Sequence, residues 1–125
     1  MPHVTLEYTG NIDQPIEFRG LFSELHQVLA STAGINVDNC KSRAIRLHTY
    51  HIGEGQTENA FVHLEIQLLE GRPAELKREI GQRGLQVLAR HLNPSLGKYD
   101  LQITLEVRDM QRQSYFKFSP GQNRP

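Results

Sequence analysis

Cysteine is almost missing from this chain: Cys40 is the single one among 125 residues. One thiol closes no internal disulfide, which excludes a disulfide-stapled scaffold and fits a reducing, cytoplasmic compartment. Net charge is missing as well, since 14 Lys and Arg balance 14 Asp and Glu. Nucleic acids and anionic membrane surfaces select a basic excess, so the balance argues against both as partners. It leaves room for a small local cluster of cations. No apolar run is long enough to span a bilayer, and no amino-terminal stretch resembles a signal peptide. Tryptophan is absent and the hydrophobic share is 38%, below the roughly 45–50% usual for globular domains. A core can still form, with part of the stability expected from subunit contacts. The length suits one domain, expected over residues 1–118, with 119–125 as a loose polar tail.

Periodicity organises the rest. Val4, Leu6 and Tyr8 alternate with His3, Thr5 and Glu7, which predicts a half-buried strand. Pro15 suits the first turn of a helix, and Phe18, Leu21, Phe22, Leu25, Val28 and Leu29 follow at helical spacing up to Gly34. A strand is expected over 39–52, with Lys41, Arg43 and Ile45 on one face and Ser42, Ala44 and Arg46 on the other. A third strand is expected over 60–69. A second helix opens at Pro73 and stops at Asn93-Pro94. Gly81 and Gly84 within it each cost about 1 kcal/mol relative to Ala, which predicts a close neighbour there. Leu101, Ile103, Leu105 and Val107 mark a fourth strand, and Tyr115-Phe116-Lys117-Phe118 an extra short one.

The order is therefore a β-α-β unit used twice, an α+β fold with a four-stranded sheet and two helices on one face. The opposite face carries His3, Thr5, Glu7, Phe61, His63, Glu65, Thr104 and Glu106. That mixture is too polar for a monomer core, and a partner subunit is expected against it.

The chemistry concentrates at Met1-Pro2. Initiator methionine is removed before small residues, and proline is among them. Removal would turn the Pro2 nitrogen from an amide into a secondary amine. An ordinary α-amine titrates at about 7.7–8.0. Burial and nearby cations both disfavour its charged form, bringing it toward neutral pH, where a general acid/base works best. A strand-anchored residue is also held still, as a frayed tail is not. Arg43 and Lys41 lie two apart on one strand face and can address one anion. Arg72 sits just before a helix, where backbone N–H groups favour anions too. Arg46 falls on the other face and is set aside. His48, His51 and His63 lack a ligand set, so no metal is expected. Cys40 has no base beside it and is read as a small packed residue.

Six stretches together resemble the 5-carboxymethyl-2-hydroxymuconate delta-isomerase family of the tautomerase superfamily. They are Met1-Pro2-His3, Lys41-Ser42-Arg43, Ala60-Phe61-Val62-His63-Leu64, Glu70-Gly71-Arg72-Pro73, Leu105-Glu106-Val107 and Phe116-Lys117, in matching order over nearly the whole chain. The resemblance implies a homotrimer of doubled β-α-β units with the active site around Pro2 at a subunit boundary. It implies proton transfer within an unsaturated oxo acid bearing several carboxylates, without metal or cofactor. It also implies Pro2, Arg43 and Arg72 as catalytic residues, with Lys41, His3, Phe61, His63 and Glu106 binding substrate. Two departures stand out. Lys41 replaces the family's arginine, offering a point charge where arginine offers a planar grip. Glu70 and Pro73 flank Gly-Arg where the family has a small residue and serine, and Glu70 adds negative charge near Arg72.

Two other readings share the strand–helix pattern. One is a ferredoxin-like module that binds small molecules and catalyses nothing. The other is a superfamily relative with a changed reaction, decarboxylation or dehalogenation. Sheet order separates the first of these from a tautomerase.

Overall fold

Alternation on the strands and a 3.6-residue stripe on the helices give each element one apolar side, and these sides meet. A computed structural model describes residues 1–121. The elements run β1 (His3–Thr9), α1 (Phe18–Ala33), β2 (Lys41–Leu47), β3 (Asn59–Leu69), α2 (Ala74–His91), α3 (Asn93–Leu96) and β4 (Asp100–Met110). The sheet order is β2-β1-β3-β4. β1 pairs with β2 in parallel, β3 with β4 in parallel, and β1 with β3 antiparallel. Each β-α-β unit thus keeps its two strands adjacent. A ferredoxin-like sheet splits them, so the sheet order favours the tautomerase architecture.

β3 shows why the core lies on one side. Ala60, Val62, Leu64, Ile66 and Leu68 are buried, as expected from their alternation. They meet Leu21, Leu25 and Leu29 of α1 and Ile80 and Leu88 of α2 in one cluster. Fully burying such a side chain is worth about 1.5–3 kcal/mol. On the opposite face, His3, Thr5, Glu7, Phe61, His63 and Glu65 are half-buried, and Thr104 and Glu106 are exposed.

Four sequence expectations shift. α1 begins at Phe18, capped by the Glu17 carboxylate accepting from the Gly20 N–H at 2.7 Å, and Pro15 lies outside it. Residues 13 and 14 are held elsewhere. Tyr99 Oη donates to Asp13 Oδ1 at 2.9 Å, and Gln14 Nε2 donates to the His91 carbonyl at 2.6 Å. β2 spans Lys41–Leu47 rather than 39–52, because its register with β1 ends at Thr9 opposite Leu47. α2 ends at His91, just ahead of Asn93-Pro94 as expected, but Pro94 then sits in the first turn of a short further helix, α3, that was not expected. Residues 115–118 form no strand, and Phe116 and Phe118 stand 86% and 63% exposed. The tail expected over 119–125 lies outside the described residues from 122 onward.

The close neighbour expected at the α2 glycines is Leu105. A Cβ on Gly84 would meet Leu105 Cδ1 at 2.8 Å, whereas on Gly81 the nearest atoms lie at 3.9 Å. Gly84 therefore sets the distance between α2 and β4. A Gly84→Leu substitution should lower unfolding free energy by about 1–3 kcal/mol through overpacking. Gly84→Ala should be nearly neutral, because helix propensity offsets the displaced methyl by about 1 kcal/mol. Urea denaturation of the two variants checks this, and equal effects would contradict it.

Candidate active site

Pro2 sits at the head of β1, where the sheet and the residues after α1 converge. Its backbone is tied down: the Lys41 N–H donates to the Pro2 carbonyl at 3.1 Å, directly before the parallel pair His3–Lys41. Pro2 is buried. It lines a cavity of about 250 Å³ with Met1, Ile35, Asn36, Asn39, Leu68, Leu69, Arg72 and Arg112. Among the described residues, the cavity wall contains two arginines and no carboxylate side chain. A wider groove of about 660 Å³ lies between α1 and β2, with His26, Cys40 and Ser42 in its wall, but Pro2 is not part of it. Burial pushes the Cys40 thiol pKa up there, which disfavours a thiolate nucleophile.

The amino terminus lies in a partly buried, positive setting. The Met1 amine donates to the Asn39 carbonyl at 2.8 Å. Its pKa is pushed down to about 6, first by burial, then by the hydrogen bond and charge of Lys41 and by the charge of Lys117. Both causes penalise an ammonium at this place. Lys41, Arg72 and Arg112 thus surround the start of the chain, with Lys117 acting on it electrostatically.

A second group stands on the open sheet face next to Pro2. Arg43 Nη1 donates to His3 Nδ1 at 3.0 Å, and His3 Nε2 and Tyr115 Oη are 2.9 Å apart. Guanidinium nitrogens only donate, so Nδ1 is the acceptor and the imidazole proton is on Nε2. The neutral ring this requires agrees with its pKa, lowered by burial and then by Arg43, the amino terminus and Lys41. Tyr115 docks edge-on against His3, with ring centroids 5.9 Å apart.

Phe61, His63 and Glu106 lie elsewhere on that face. His63 pairs across from Glu7, five residues along β1 from Pro2, a distance of about 17 Å at 3.4 Å per residue. Phe61 lies a further two residues on. His63 Nδ1 and Thr104 Oγ1 are 2.7 Å apart, and Glu106 Oε2 lies 3.9 Å from Arg108 Nε. Within one chain, then, Pro2 and Arg72 come together, with His3, Lys41 and Arg43 adjoining. Phe61, His63 and Glu106 are not brought to them.

The family model for 5-carboxymethyl-2-hydroxymuconate isomerase matches residues 2–124. The chain belongs to the 5-carboxymethyl-2-hydroxymuconate isomerase family. The 5-carboxymethyl-2-hydroxymuconate Delta-isomerase of Escherichia coli is 25% identical over 117 residues, covering 94% of this chain and 93% of that protein. A crystal structure of a 5-carboxymethyl-2-hydroxymuconate isomerase from Deinococcus radiodurans R1 is 32% identical, with a TM-score of 0.85 over 94% of this chain and 88% of the other. A fused 4-OT symmetric trimer, 18% identical, has a TM-score of 0.65 over 89% of this chain and 87% of its own, and shares the fold.

For this family member, sequence reasoning missed Arg112, the residue that Glu70 engages. Glu70 does not pair with Arg72. Its Oε2 accepts from the Arg112 N–H at 2.8 Å and its carbonyl from Arg112 Nε at 3.1 Å. The structural register explains the contact: β3 and β4 are of equal length and parallel, with Leu69 opposite Met110, so Glu70 faces the residues just after β4. Arg72 itself donates from Nη1 to the Leu69 carbonyl at 3.3 Å. Gly71 stands between Glu70 and Arg72 at φ +116°, a backbone state that a Cβ disfavours. It lets adjacent residues serve the Arg112 contact and the Pro2 cavity. Gly71→Ala should lower unfolding free energy by about 1–3 kcal/mol through backbone strain. Urea denaturation measures this; an unchanged value would mean that the turn relaxes without strain.

Proposed function

We propose that this protein is an isomerase that moves a proton within an unsaturated hydroxy or oxo acid bearing several carboxylates, of the 5-carboxymethyl-2-hydroxymuconate kind. The Pro2 amine, freed by removal of Met1, acts as acid and base without metal or cofactor. The observation that carries this reading is a buried, strand-pinned Pro2 in a small cavity with Arg72 and Arg112 in its wall. Family membership sets the reaction class.

The step needs little. Neutral Pro2 nitrogen takes the enol O–H proton of the substrate and becomes a secondary ammonium. Electrons left on oxygen spread over the conjugated chain, and fixed cations stabilise that developing charge. The ammonium then gives its proton to a carbon of the same system, leaving the ketone and restoring the amine. One group serves both transfers, so its pKa has to lie near working pH. Burial and the Lys41 charge already push the Met1 amine down to about 6. Pro2 is buried beside Lys41, so a freed Pro2 amine is expected below the ordinary value.

Arg72 holds a substrate carboxylate, and Lys41 supports it as a point charge. Arg43 and His3 adjoin this group on the open sheet face. Phe61, His63 and Glu106 would act across a subunit boundary. In a homotrimer the half-buried sheet face is covered by neighbouring copies, and these residues reach a site other than their own chain's. Carboxylate-rich substrates of this kind, the single cysteine and the absence of net charge all suit a cytoplasmic enzyme with a small-molecule partner.

Two measurements test the reading. Intact mass should show loss of Met1. Pro2→Ala should lower kcat for ketonisation of a 2-hydroxymuconate-type dienol by about a hundredfold or more, the usual worth of a positioned acid/base. The wild-type kcat/KM should rise with pH as the amine deprotonates and level off, with its midpoint below the ordinary 7.7–8.0 or so. Retained Met1, or a Pro2→Ala enzyme at full rate, would overturn the role of the amine.

A further inference from the structure

Arg112 follows β4 as the first residue of a short 3-10 turn, Arg112–Ser114. A long side chain after the last strand would ordinarily wander, yet here its base is fixed twice. Its backbone N–H donates to Glu70 Oε2 at 2.8 Å, and its Nε donates to the Glu70 carbonyl at 3.1 Å. The Glu70 carboxylate is spent on the backbone N–H rather than on the guanidinium. Arg112 is therefore positioned without being neutralised. No described residue accepts a hydrogen bond from Nη1 or Nη2, so the outer edge of the guanidinium is open. A Cβ on Gly71 would come to 3.9 Å from Nη2, which sets that edge close over the Glu70–Arg72 turn. Arg112 and Arg72 line one cavity together with Asn36, Asn39 and Pro2.

A structural ion pair would place the carboxylate on the guanidinium fork. This arrangement does the reverse: Arg112 is exposed and lines the cavity, and no described carboxylate sits on its fork. We infer that Arg112 is a specificity-determining residue that grips a carboxylate of the substrate remote from the reacting atoms, and that Glu70 is the residue that positions it. The inference rests on the isomerase reading above and names which acids it takes: those with a second carboxylate beyond the one held by Arg72. Pre-fixing the side chain spares the complex the entropy of ordering it on binding.

The test compares a dienol dicarboxylate with a matched dienol lacking the remote carboxylate. Arg112→Ala should lower the ratio of their kcat/KM values about ten- to a hundredfold, the usual worth of charged hydrogen bonds. The loss should appear mainly in KM for the dicarboxylate. Arg112→Lys should recover part of the ratio, since it keeps charge but not the fork. Glu70→Ala should lower the ratio less, Glu70→Gln should preserve it by retaining an acceptor, and Glu70→Ala should add nothing in an Arg112→Ala background. An unchanged ratio in Arg112→Ala overturns the inference even if Pro2→Ala is inactive. If the wild-type protein turns over neither dienol, the isomerase reading fails instead. Calorimetric titration with a muconate dianion then decides the inference: tenfold weaker binding by Arg112→Ala supports it, and equal binding overturns it.

Discussion

Parallel pairing of β1 with β2 is the constraint on which the rest depends. It starts one residue after Pro2 and includes the bond from the Lys41 N–H to the Pro2 carbonyl. A chain terminus is normally the least ordered part of a domain. Here the terminus is the first rung of an interior strand, since β1 has β2 on one side and β3 on the other. The same register sets Lys41 opposite His3 and Arg43 opposite Thr5. The positive charge of β2 is thereby delivered to the start of β1 by backbone geometry alone.

The site has one electrostatic character because of where each cation originates. Lys41 comes from β2, Arg72 from the turn between β3 and α2, and Arg112 from the turn after β4. The two parallel pairs, joined by the antiparallel β1–β3 pair, bring these strand ends to one region. Net charge is zero over the chain, yet among the described residues the cavity wall holds two arginines and no carboxylate side chain. Concentrating like charge beside a buried amine penalises its protonated form, which is the lever a proton-shuttling amine needs. Glu70 is the nearest acid in sequence, and its carboxylate is engaged by the Arg112 backbone rather than by either guanidinium.

Much of this was legible in the sequence where side-chain period decides structure. The alternation of β3 from Ala60 to Leu68 and the stripe of α1 from Leu21 to Leu29 predicted which residues are buried. The close approach expected at Gly81 and Gly84 holds at Gly84 but not at Gly81, where the nearest atoms to a Cβ lie at 3.9 Å. Legibility failed where long-range hydrogen bonds override local propensity. Pro15 looked like a helix start, but Asp13 and Gln14 are bound to Tyr99 and His91, which draws the chain away until Glu17. Arg112 escaped notice because its importance depends on the β3–β4 register, and no local pattern announces that. Phe61, His63 and Glu106 share a face with His3 as expected, but their distance along β1 from Pro2 appears only once the register is known.

The central claim is that the mature chain carries a free, depressed secondary amine at Pro2. Nitrogen-15 NMR of protein labelled at its 6 prolines tests it most directly, by following the Pro2 nitrogen through a pH titration. The account predicts one proline nitrogen that titrates as a secondary amine, with a midpoint below the ordinary value of about 7.7–8.0. Every proline resonating as a non-titrating tertiary amide, or a Pro2 midpoint at or above that value, would contradict it.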